Sequence, residues 1–213
     1  MRPSEPGSLF GALTRRRFLQ IGGAVTLGAA LTACIGDGGD KQSQENVGGA
    51  EGRRVDITVI RTLSSLEALA VVVYETGLGS GLLTTPAVAD LANVFQSHHR
   101  EHGALLQGVT RDLRATPFTE PNPAVRQQLQ PEIDALRDEA GVVGLALDIE
   151  VVLAETYQAA VGAFGDKSFN VAAMSVGGAE ARHVAALAQV LGQAPVPRAF
   201  QGTERAVPTG TGV

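Results

Sequence analysis

Two parts of this chain repeat each other, and the spacing of the repeat constrains the fold more than any other feature. At an offset of 83, Leu66, Glu67, Ala70, Tyr74 and Leu78 fall on Ile149, Glu150, Leu153, Tyr157 and Val161. At an offset of 81, Ala92, Phe95, His99, His102, Leu106 and Val109 fall on Ala173, Val176, Glu180, His183, Leu187 and Val190. Apart from the adjacent pairs Leu66-Glu67 and Ile149-Glu150, the intervals within each set are three and four residues, which places the members on one face of an α-helix. The repeat therefore predicts two equivalent helical hairpins, and the polar residues inside each seam are expected to face the core.

No segment after Asp56 shows the strict alternation of a half-buried strand, so the fold class is all-α, a four-helix bundle. The first helix is expected over 56–76, stopped by Gly77, Gly79 and Gly81. The second should begin after Thr85 as N-cap with Pro86 at its first position and run to about residue 114. A proline-rich crossover over 116–131, with a short helix at 124–130, joins the two hairpins. The third helix is expected over 132–164 with a break near Gly141, and the fourth over 168–191, ended by Gly192. The domain organisation that follows is a leader (1–33), a flexible tether (34–52), the bundle (53–192) and an irregular tail (193–213).

The leader is read from order of appearance. Paired arginines in Thr14-Arg15-Arg16-Arg17-Phe18-Leu19-Gln20 precede an apolar run from Ile21 to Leu31, an arrangement that resembles a twin-arginine export signal. The run is shorter than the roughly 20 residues that span a bilayer. It ends at Leu31-Thr32-Ala33-Cys34, which resembles the lipobox of bacterial lipoproteins, so Cys34 is expected to be lipidated and to anchor the protein to the membrane of the cell envelope. The plainer alternative is an incidental thiol. Cys34 is the only cysteine, so no intrachain disulfide can form and stability must come from packing. Residues 1–33 hold four arginines and one glutamate, so the remainder carries −5 − 3 = −8. That charge disfavours nucleic acid as a partner, and also electrostatic attachment to anionic lipid. Oligomeric state is not legible.

Chemistry concentrates in the seams. Glu67 and Glu150 lie in almost wholly apolar runs, where an unpaired carboxylate would cost several kcal/mol on burial. Each needs a partner. Glu180-x-x-His183 and His99-x-x-His102 offer a carboxylate and three imidazoles on matching helical faces. All four histidines of the chain fall in these two segments. The six residues Glu67, His99, His102, Glu150, Glu180 and His183 are candidate metal ligands; the alternative is a metal-free core in which they satisfy one another. His98 and Glu101 adjoin the motif, and a one-residue slip would present them instead, although the repeat favours His99; Glu101 then reads as a solvated flank and His98 as an extra ligand. Tyr74 and Tyr157 lie two turns beyond their glutamates on the same face; core packing is the plainer role, a hydroxyl near a carboxylate the other.

One glutamate from each of two helices, with Glu-x-x-His from each of the other two, resembles the ligand set of dinuclear carboxylate proteins of the ferritin-like superfamily. The resemblance covers about residues 61–191 and rests on Glu67, Glu150, Glu180, His183 and His102. It implies a ferritin-like bundle of two duplicated hairpins with a long crossover, and oxygen- or peroxide-linked redox chemistry. At His99 the chain departs from it, because that pattern has a metal-bridging glutamate there. The departure implies fewer than two tightly held metals, or an asymmetric pair with the stronger position nearer Glu180 and His183. Oxygen and nitrogen donors without sulfur suit iron or manganese, although zinc and copper also bind imidazole well, and iron is the expected metal. The competing class is a non-catalytic envelope module with a degenerate site.

Overall fold

The computed structural model describes residues 49–213; the paired arginines, Cys34 and the expected tether as far as residue 48 lie outside the described residues. Among the described residues there are five helices and no strand: α1 (Gly49–Gly79), α2 (Pro86–Asp112), α3 (Pro123–Asp134), α4 (Glu139–Ala163) and α5 (Phe169–Val190). The class is all-α, as the periodicity requires. α1 packs closely on α2, and α4 on α5, as two equivalent hairpins. The hairpins meet through α1 and α4, whereas α2 and α5 barely touch.

The sequence places apolar residues so that α1 and α4 become the central pair. Leu66, Leu69, Ile149 and Leu153 are all completely buried, each contributing about 1.5–3 kcal/mol of transfer free energy. α1 is long and apolar enough to cross a membrane by composition, but 67% of its most apolar window is buried inside the bundle. Its hydropathy is that of a core helix.

Several boundaries differ from expectation for identifiable reasons. α1 begins at Gly49, well ahead of residue 56. Asp56 lies within the helix, buried, where its carboxylate accepts hydrogen bonds from the backbone N–H of Gly165 (2.7 Å) and Asp166 (3.2 Å) in the turn after α4. At its other end α1 passes through Gly77, because a glycine there serves packing: a Cβ would lie 2.7 Å from Val142 Cγ1 of α4. Thr85 holds the N-cap position of α2 without a side-chain bond; instead Glu139 Oε2 accepts from the backbone N–H of Thr84 and Thr85, both at 2.7 Å.

The third long helix starts at Glu139 and not at residue 132. The short helix of the crossover extends through Pro131, where the lost hydrogen bond falls on the exposed turn at Gln127. Asp138 then caps α4 by accepting from Gly141 N–H at 2.8 Å, so the expected break near Gly141 is a helix start. Gly192, at φ +70°, ends α5 as expected.

After α5 the chain forms no helix and runs back over the α1–α4 face. The backbone N–H of Arg205 donates to Glu155 Oε2, that of Val207 to Thr156 Oγ1 (3.0 Å) and that of Gly210 to Thr62 Oγ1 (2.9 Å). Asn122, the cap of α3, donates to the Thr211 carbonyl at 2.9 Å.

Candidate metal centre

The duplicated seams bring all six candidate ligands to one place. Glu67 comes from α1, His99 and His102 from α2, Glu150 from α4, and Glu180 and His183 from α5. Glu67, His99, Glu150 and Glu180 are fully buried, His183 is 3% exposed, and only His102 has appreciable contact with solvent. His98 is half-buried at the edge and Glu101 is exposed, so the register of α2 is the one the repeat favours.

The repeat acts reciprocally. Tyr74 of α1 donates its hydroxyl to Glu150 Oε1 of α4 (2.6 Å), and Tyr157 of α4 donates to Glu67 Oε1 of α1 (2.5 Å). Each tyrosine thus serves the other hairpin's glutamate. Burial, reinforced by the charge of Glu150 on Tyr74 and of Glu67 on Tyr157, pushes both phenols well above their ordinary range, so they remain donors. Packing alone does not describe them. The signal was present in the sequence: these are the only two tyrosines, and they occupy equivalent positions.

His99 lies between the two central glutamates, with Nδ1 2.8 Å from Glu67 Oε2 and Nε2 2.9 Å from Glu150 Oε1. Burial opposes a charge there, but the carboxylates of Glu150 and Glu67 outweigh it and raise His99 well above the ordinary imidazole value. With a carboxylate oxygen at each ring nitrogen, the metal-free arrangement favours a proton on both, an imidazolium spanning two carboxylates that would have to give up a proton to ligate an ion. Glu67 and Glu150 are correspondingly lowered: burial alone would raise them, but the histidines beside each dominate, His102 and His99 for Glu67, His99 and His183 for Glu150.

Glu180 faces His99 across the site and splits its two oxygens. Oε2 is 3.0 Å from His183 Nδ1, and Oε1 is 2.8 Å from His102 Nδ1. Burial and the charges of Glu67 and Glu150 raise Glu180 above the usual carboxylate range, against the opposing effect of His102 and His183. Burial pulls His102 down, yet the adjacent Glu180 and Glu67 carboxylates carry it up to about 9.

The fit to a cation follows from this geometry. His102 Nδ1 and Glu180 Oε1 are buried and close, yet neither has an aligned hydrogen-bond partner. The two atoms thus form a 2.8 Å ion pair without a well-aligned hydrogen bond between them. Two groups, Glu67-His99-His102-Glu180 and His99-Glu150-Glu180-His183, each offer one ligand atom per residue, all within 4.8 Å of one another. Ligands about 2.0–2.2 Å from an ion lie no more than about 4.4 Å apart, so a group spanning up to 4.8 Å would close by a few tenths of an ångström on one ion. Glu180 and His99 belong to both.

Sequence reasoning offers His98 only as an alternative or extra ligand and does not show its contact with His183, where its Nδ1 lies 2.9 Å from Nε2. Phe95, a seam residue by the repeat, stacks on His183 with ring centroids 3.9 Å apart. Nothing in one-dimensional spacing marks which residue of another helix a ligand will touch.

A family model described as a ferritin-like domain matches residues 55–193. No curated protein matches the chain.

Proposed function

The chain belongs to the ferritin-like domain family, and from that premise we propose that it is an exported, lipid-anchored protein that binds iron in the buried glutamate-histidine cluster. The observation that carries this reading is the convergence of three carboxylates and three imidazoles from four helices, with no well-aligned hydrogen bond in the 2.8 Å contact of His102 Nδ1 and Glu180 Oε1. Glu150, Glu180 and His183 would hold the principal ion. Glu150 Oε1 is engaged by Tyr74 and His99, but its Oε2 faces only His183 Nδ1, at 3.3 Å, whereas both oxygens of Glu67 already accept short bonds. Glu180, through Oε1, and His102 would reach towards a second, weaker position.

Iron held there would supply redox chemistry towards oxygen or peroxide. The residues around it govern access and charge. The tyrosine hydroxyls hold Glu67 and Glu150 in orientation, and the apolar walls of α1 and α4 exclude water. Approach from solvent is at His102 and His98, between the sparsely packed α2 and α5.

A second reading is favoured by His99. Its imidazolium already supplies a positive charge between Glu67 and Glu150, so a metal-free bundle with a degenerate site, serving a non-catalytic role in the envelope, is the alternative. Metal analysis separates the two. Protein produced with iron should carry close to one tightly held ion per chain and gain thermal stability from it. Absence of both stoichiometric metal and any stabilisation sinks the iron reading. The anchor is tested independently: Cys34→Ala should move the protein from membranes to the soluble exported fraction, and unchanged retention refutes it.

A further inference from the structure

We propose that His98 is a positioning residue that sets His183 in the tautomer required for coordination, an inference that rests on the metal-binding reading above. His183 presents Nδ1 to the site, 3.0 Å from Glu180 Oε2 and 3.3 Å from Glu150 Oε2. Its other nitrogen, Nε2, points out of the site and lies 2.9 Å from His98 Nδ1. The two ring planes are parallel to within 13° and their centroids are 5.2 Å apart, about as far as a 2.9 Å N···N contact permits, so the contact runs close to the plane of both imidazoles, where lone pairs and N–H bonds are directed.

A neutral imidazole has one donor and one acceptor nitrogen. If Nε2 of His183 carries the proton and donates it to His98 Nδ1, the lone pair of His183 Nδ1 is left for an ion between Glu150 and Glu180. The opposite arrangement, with His98 donating, would put the His183 proton on Nδ1 and block coordination. Phe95 stacks on the His183 ring at 3.9 Å and fixes its plane, but stacking still allows a half-turn about Cβ–Cγ that exchanges the ring's nitrogen and carbon positions. The hydrogen bond to His98 removes that freedom. His98 is half-buried and belongs to neither four-residue ligand group. Outer hydrogen-bond partners of this kind commonly hold a ligating histidine, and their loss costs about 10–100-fold in metal affinity.

The test compares cobalt(II) binding to the full-length wild type, His98→Ala and His98→Asn, together with ring ¹⁵N chemical shifts of His183 in the metal-free proteins at a pH where the ring is neutral. Asparagine can place an acceptor oxygen near the position of Nδ1. His98→Ala should weaken cobalt binding by about 10–100-fold and give mixed His183 tautomers, whereas His98→Asn should stay within a few-fold of wild type with the Nε2–H tautomer retained. Wild-type affinity in His98→Ala overturns the inference while leaving the metal site standing. Equal weakening in both variants, with the fold intact by circular dichroism, also overturns it. If wild type binds no cobalt, the metal reading fails and the ¹⁵N shifts alone decide: an Nε2–H tautomer lost in His98→Ala supports the positioning role, and any other pattern refutes it.

Discussion

At the scale of single residues, His99 decides how much metal the site can hold. Two divalent cations carry +4, and Glu67, Glu150 and Glu180 supply three negative charges, while His99 adds a positive one of its own and occupies an oxygen of both Glu67 and Glu150. A glutamate in its place would remove the internal cation and restore a fourth carboxylate. His99→Glu should therefore raise metal occupancy towards two ions per chain, and Glu180→Ala should lower it below wild type, both read by elemental analysis after dialysis. The same histidines set the pH dependence. His102 is raised from 6.5 to about 9 in the folded protein, so it binds its proton more tightly there than when unfolded. Its contribution to the stability of the metal-free protein is complete below about pH 6.5 and is lost as pH rises through about 9. Metal binding runs the other way, because ligands must shed protons. The melting temperature of the metal-free protein should fall across that window, and the increment produced by metal should grow.

At the scale of helices, close approach at Gly177 holds α5 against α4 beside the site. A Cβ at Gly177 would lie 2.9 Å from Tyr157 Cβ, an atom fixed to the backbone of α4. Gly177→Ala must push α5 away from α4 at the tyrosine whose hydroxyl holds Glu67, so it should cost about 1–3 kcal/mol in urea unfolding and also weaken metal binding. Gly178 has nothing within 4 Å of its Cβ position. Gly178→Ala should be neutral or stabilising by about 0.5–1 kcal/mol, and an equal loss in both variants would refute the packing explanation. Helix lengths were legible only where a seam repeats. The break between α3 and α4 was misplaced because Pro131 reads as a helix boundary in one dimension, whereas its single missing donor falls on a solvent-facing turn where water can replace it.

At the scale of the molecule, the tail acts as a strap that ties the crossover to the central helices. Its bonds to Glu155, Thr156, Thr62 and Asn122 join α4, α1 and the start of α3 on the face covered by neither α2 nor α5. Deleting residues 203–213 should destabilise the bundle by about 2–4 kcal/mol, given about 1 kcal/mol for each of four lost bonds less what water restores. Metal occupancy should be unchanged, since every candidate ligand lies in α1, α2, α4 and α5. Loss of metal together with stability would show that the strap shapes the site.

The sequence by itself determined the helical class, the duplication and the residues of the cluster, because helical periodicity is local and a charged residue inside an apolar seam must find partners. It also carried the departure at His99, since the repeat sets that position against Glu180. Only the tertiary structure decided which groups became those partners. The crossed Tyr74–Glu150 and Tyr157–Glu67 bonds join residues 76 and 90 positions apart. His98 meets His183 only because α2 and α5 lie side by side at the mouth of the site, and Asp56 ties α1 to the turn after α4 across 109 residues. Spacing along one helix fixes a direction in space, but the distance and angle at which two directions meet are set by the packing of all four helices together.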